Sequence, residues 1–105
     1  MNEDLIQGFI ALIKRYGFAI LPLALGDRIL ELLRHKGAVH LIQVHRHDKL
    51  MIIEINKAPC IRQCDIECRD VSAGSRSLEC YNSCVDECFM SRLQMLVEKV
   101  RGEIV

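Results

Sequence analysis

The sequence predicts an α+β fold: two N-terminal helices and an antiparallel β-hairpin, followed by a disulfide-cross-linked antiparallel helical hairpin. Three observations carry this. Apolar residues recur at helical spacing through the first 36 positions, two apolar runs flank a polar turn between Val39 and Ile55, and six cysteines fall in two trios of spacing four. The first two features lie within residues 1–57 and the third within 58–105. The two parts fit one compact domain, since 105 residues is an ordinary single-domain length.

Residues 3–16 form the first helix. Leu5, Ile6, Phe9, Ile10, Leu12 and Ile13 share one face, acids open the segment, Lys14 and Arg15 close it, and Gly17 terminates it. Phe18–Leu23 is extended or loop, because Pro22 disfavours helix in the residue before it. A second helix runs from Asp27 to Lys36, with Ile29, Leu30, Leu32 and Leu33 inward and Gly37 as its stop. Val39–Val44 and Leu50–Ile55 then read as paired strands. Pairing about His47–Asp48 sets Val44 opposite Met51, Ile42 opposite Ile53 and His40 opposite Ile55, one nearly continuous apolar face. His-Asp is not the usual Asn-Gly of a two-residue turn, so a longer turn stays open.

The cysteines are Cys60, Cys64, Cys68, Cys80, Cys84 and Cys88. Spacing of four makes each trio a helical stripe, with steps of about 6 Å along the axis and about 40° around it. Antiparallel pairing about one centre gives Cys60–Cys88, Cys64–Cys84 and Cys68–Cys80, and that centre is Gly74, inside the turn-like run Ser72–Ser77. Cα atoms about 5.5 Å apart put the helix axes about 10 Å apart, an ordinary packing distance. The rival is a thiolate cage for zinc or copper, although the Cys-x-x-Cys knuckle common in zinc sites is absent. Twin Cys-x₃-Cys helical hairpins resemble those of the small chaperones of the mitochondrial intermembrane space. The likeness covers the cysteine spacing alone, and the mixed N-terminal half departs from those all-helical proteins.

Composition narrows the function more by exclusion than by signal. Half the residues are apolar, Trp and Thr are absent, and isoleucine is abundant, so the core is aliphatic. Formal net charge is zero, which leaves no global field toward nucleic acid or membrane. Gly17–Leu25 follows two basic residues and loosely resembles a signal peptide, but the charges come late and Pro22 interrupts the run. Nine residues also fall short of the roughly 20 a membrane-spanning helix needs. The expectation is an unprocessed intracellular chain. Disulfides there point to a hyperthermophile, with an archaeon or one of its viruses as the source.

Two surfaces invite partners. Along the last helix Leu78, Tyr81, Val85, Phe89, Leu93, Leu96 and Val100 form an apolar stripe at three-and-four spacing. A helix over 78–103 extends about 38 Å, longer than the first cysteine helix reaches. Phe89, Leu93, Leu96 and Val100 are thus either packed on the first helix or the interface of a homodimer. The second surface is basic: Arg34 and Lys36 end the second helix, and Arg46, His47 and Lys49 tip the hairpin. A helix followed by a basic-tipped hairpin resembles the recognition helix and wing of winged-helix DNA-binding domains, which carry three helices before the wing. The strands ending at Glu54 and Lys57 faintly resemble the restriction-endonuclease-like nucleases, but Lys57 is one residue late and Asp48 lies in the turn, so they share no metal. No nucleophile set, phosphate loop, cofactor site or small-molecule site stands out. The sequence thus favours a non-enzymatic interaction or assembly protein, with duplex binding and thiolate metal binding as alternatives.

Overall fold

Ile6, Phe9, Ile10 and Ile13 recur every three or four residues and are all buried, which sets the inward face of α1 (Asn2–Tyr16). The computed structural model describes residues 2–70, 75–76 and 78–101. Gly17 ends α1 with φ of +84°, a conformation that costs glycine nothing, and its N–H donates to the Ile13 carbonyl at 2.8 Å. The chain turns directly into β1 (Phe18–Pro22), whose alternating burial sends Ala19 and Leu21 inward and Phe18, Ile20 and Pro22 outward.

Helix α2 (Leu23–His35) starts a full turn before the expected Asp27. Gly26 sits inside the helix and is buried against the sheet. The end of α2 is a Schellman motif. The Ala38 N–H reaches the Leu33 carbonyl at 2.9 Å, the Gly37 N–H reaches that of Arg34 at 3.1 Å, and Gly37 has φ of +67°. Leu33 and Ala38, both fully buried, supply the apolar contact that accompanies this cap.

A 3-10 turn (Val39–Leu41) leads into β2 (Ile42–His47) and β3 (Leu50–Ile55). The sheet is antiparallel throughout, in the order β1-β3-β2. The hairpin closes on Asp48 and Lys49, so Val44 faces Ile53, Ile42 faces Ile55 and His47 faces Leu50. This corrects the expected pairing by two residues. Asp48 is the reason: it takes φ of +55°, the positive value that both favoured two-residue hairpin turns need at their first position. His40 lies before the strand, outside the pairing.

The chain forms two compact units. The first runs through Asn56 and takes in α4 (Leu78–Arg101) from Leu93 onward. Its core joins α1 and α2 to the inner residues Ala19, Leu21, Ile42, Met51, Ile53 and Ile55 of the sheet. Leu93, Leu96, Val97 and Val100 belong to the same unit and are buried too. A small cleft lined by Gln7, Ile10 and Lys14 of α1 and Val97, Val100 and Arg101 of α4 marks where the two helices approach.

The second unit, Lys57–Arg92, holds α3 (Ala58–Glu67), the short strand pair β4 (Arg69–Asp70) and β5 (Ser75–Arg76), and the first part of α4. Pro59 lies at the start of α3, where its missing N–H costs no helical bond. Three disulfides cross-link α3 to α4: Cys60–Cys88, Cys64–Cys84 and Cys68–Cys80, with Cα separations of 5.7, 5.7 and 5.6 Å. Gly74, Ser72, Ala73 and Ser77 of the expected turn lie outside the described residues.

Candidate functional site

The basic hairpin tip does not gather the charges that the sequence places near it. Arg46 Nη2 lies 3.4 Å from Asp27 Oδ1 in the first half of α2. Arg34, in the last turn, pairs instead with Glu31 at 2.5 Å, which also lies 3.3 Å from His35. Asp27 and Arg34 are seven residues apart, about 10 Å along the helix. Arg34 and Lys36 therefore mark one end of α2, and Arg46 the other part, with acids interleaved. His47 and Lys49 are exposed at the turn. Only the 3-10 turn separates α2 from β2, so among the described residues no third α-helix precedes the hairpin. α2 itself turns Ile29 and Leu33 into the core and presents Asp27, Arg28, Glu31 and Arg34 outward, a mixed-charge face.

The apolar stripe of α4 is divided. Leu96 is fully buried and Leu93 and Val100 nearly so within the first unit. Phe89 belongs to the other unit, half-buried, with the Lys57 ammonium 4.8 Å from its ring centroid. Tyr81 and Val85 are half-buried, and Leu78 is exposed.

A different apolar surface remains open. The inner residues of β1 and β3 are buried, while the outer face of the same strands carries Phe18, Ile20 and Leu50, each 41–51% exposed. The register sets three rows across this face: Phe18–Glu54–Gln43, Ile20–Ile52–His45 and Pro22–Leu50–His47. The β1 column is wholly apolar, the β2 column wholly polar, and β3 grades between them. His45 Nε2 lies 3.4 Å from Glu54 Oε1 across the polar side. Tyr16, 56% exposed, extends the apolar side with its ring centroid 6.4 Å from that of Phe18.

Chemistry is scarce by comparison. All six cysteines are half-cystines, so none presents a thiolate for catalysis or metal. Among the described residues, no three His, Cys, Asp or Glu side chains converge as metal ligands. No described helix is long and apolar enough to cross a membrane. Nor do known proteins suggest an activity. The chain matches no family model, no curated protein and no solved structure.

The open sheet face is the surface that sequence reasoning passed over. Its signal was present in Phe18, Ile20, Leu50 and Ile52, but it becomes legible only when Phe18–Pro22 is read as a strand beside β3. Without β1, this hairpin face reads as Leu41 and Ile52 mixed with Gln43, Glu54 and Asn56, and so as half solvated.

Proposed function

We propose that this protein is a small non-enzymatic assembly module that self-associates through the outer face of its three-stranded sheet. The observation that carries the reading is that face: an apolar column of Phe18, Ile20 and Pro22, continued by Leu50 and Ile52, open to water on strands whose other side is fully packed. Contiguous apolar surface of this kind marks interaction sites in soluble proteins.

The row order favours a second copy of the chain as the occupant. A two-fold axis across the strands, over the Ile20–Ile52–His45 row, stacks Ile20 on Ile20 and Ile52 on Ile52. It also sets Phe18 over Pro22, and brings Glu54 of each copy diagonally beside His47 of the other. Apolar thus meets apolar along the β1 column and at Ile52, while Glu54 falls over Leu50 with His47 beside it and His45 faces His45, in the isologous manner of most homodimers. The disulfide hairpin gives this module durability. Cystines suit either an extracellular setting or the cytosol of a hyperthermophile, and the isoleucine-rich, threonine-free composition supports the second. Duplex binding at the hairpin tip has weaker support, because Arg46 and Arg34 are each engaged by an acid at separate places on α2.

Sedimentation of the oxidised protein tests the reading. Twice the monomer mass is expected at about 100 μM, a concentration that populates even a weak dimer. Ile20→Asp, at a position already half exposed, is expected to give a folded monomer. A wild-type chain that stays monomeric, or an Ile20→Asp variant that stays dimeric, overturns the proposal.

A further inference from the structure

Among the described residues from Lys57 to Arg92, the buried ones are Cys60, Cys64 and Cys68, all half-cystines. The apolar side chains that ought to line such a hairpin are elsewhere. Ile61, Ile66, Leu78 and Met90 are 42–74% exposed, and Tyr81, Val85 and Phe89 are half-buried. The interior of this unit is therefore the cystine ladder itself. The first unit differs, with more than a dozen buried aliphatic and aromatic residues and no cysteine.

From this contrast we propose that residues 57–92 are a redox-gated folding unit, folded when oxidised and unfolded when reduced, while the sheet unit stays folded in both states. Each disulfide opened by a dithiol takes up two electrons and two protons. One reductant sulfur attacks a cystine sulfur and breaks the S–S bond to form a mixed disulfide. Its second sulfur then displaces the cysteine, leaving two cysteine thiols and a cyclic oxidised reductant. Three such events remove every disulfide cross-link between α3 and α4, leaving only the backbone that joins them.

Little then holds the helices. α3 has 10 residues, below the roughly 12–15 at which an isolated helix is even marginal in water. The α4 segment from Leu78 has few buried side chains and frays back toward Leu93, where packing resumes. Entry is easiest at the tip, because Cys80 is the exposed half-cystine, while Cys84 and Cys88 are half-buried and the α3 partners are buried. The gate gives the molecule two forms: one with a stapled hairpin, and one with about 35 released residues attached to an intact sheet unit.

Hydrogen exchange read by mass spectrometry on the full chain, oxidised and after treatment with dithiothreitol, tests this. Reduction is expected to speed amide exchange in 59–67 and 79–90 on the order of 100-fold, as loss of a loop constraint of this size implies. Exchange in 42–55 and in α1 is expected to stay within a few-fold of the oxidised rate. The six-fold Cys→Ser variant, which needs no reductant, should reproduce the pattern. Retained protection in 59–90 of the reduced chain overturns the proposal, and so does equal loss in both units.

Discussion

Gly26 of α2 and Met51 of β3 are in direct apposition: a Cβ on Gly26 would lie 2.5 Å from Met51 Sδ and 3.0 Å from Met51 Cβ. The missing side chain is what lets the helix approach the sheet here. Gly26→Ala gains about 1 kcal/mol of helix propensity. It also forces a fully buried methionine off its rotamer, at a cost of about 1–3 kcal/mol. The second effect wins, and a net loss of about 1 kcal/mol is expected in urea unfolding followed by circular dichroism. Gly8→Ala is the control. Gly8 lies within α1 with no heavy atom within 4 Å of the added methyl, so that substitution should stabilise by up to about 1 kcal/mol.

At the hairpin turn, Asp48 pays for a left-handed conformation with φ of +55°. Replacing it with glycine removes that strain, and replacing it with valine worsens it, since β-branched residues tolerate positive φ least. Asp48→Gly is expected to be neutral to slightly stabilising, within about 1 kcal/mol, and Asp48→Val to cost about 1–2 kcal/mol. Equal midpoints for the two variants in thermal unfolding would count against this account of the turn.

The same turn explains what the sequence did and did not disclose. A slip of two residues in hairpin pairing leaves every side chain on its original face, so alternation alone could not choose between Val44–Met51 and Val44–Ile53. The choice fell to the backbone at Asp48, and aspartate announces positive φ only weakly. β1 was hidden for another reason. Pro22 argues against helix in Phe18–Leu23 without choosing strand over loop, and it is tolerated in β1 because it closes a strand at the sheet edge. The cysteine hairpin was readable because a spacing of four repeated in two trios admits one antiparallel alignment. What covers the α4 stripe was not readable, because helical period shows that a face is buried and never against what.

That stripe gives a direct test. Leu96 is fully buried in the first unit, so Leu96→Ala should cost about 3 kcal/mol through lost transfer energy and a residual cavity. Met90→Ala, at 59% exposure on the same helix, should cost less than about 0.5 kcal/mol. If the packing is internal, the Leu96→Ala cost is independent of protein concentration, and the oligomeric state is unchanged. A cost that grows on dilution below the dimer range would mean that Leu96 is buried between chains.

Glu67 modifies the chemistry of the ladder. Its Oε2 lies 3.5 Å from Cys84 Sγ, while Gln63 Nε2 donates to Oε1 at 2.9 Å and steadies the carboxylate. The sulfur contact is not a hydrogen bond, since a cystine sulfur carries no proton. It is instead a negative charge beside the Cys64–Cys84 disulfide, which repels an approaching thiolate. Two like charges about 4 Å apart repel by about 1 kcal/mol in water and up to about 4 kcal/mol nearer a protein surface. Glu67 is exposed, so screening keeps the effect toward the lower figure. Glu67→Gln keeps the shape and removes the charge. It should speed reduction of Cys64–Cys84 by an anionic thiolate about 3- to 10-fold at low salt, a factor shrinking toward one as ionic strength rises. Differential alkylation with peptide mapping reads each disulfide separately, and Cys60–Cys88 serves as the internal reference. A rate unchanged at low salt, or one equally raised at all three disulfides, would remove Glu67 from any protective role.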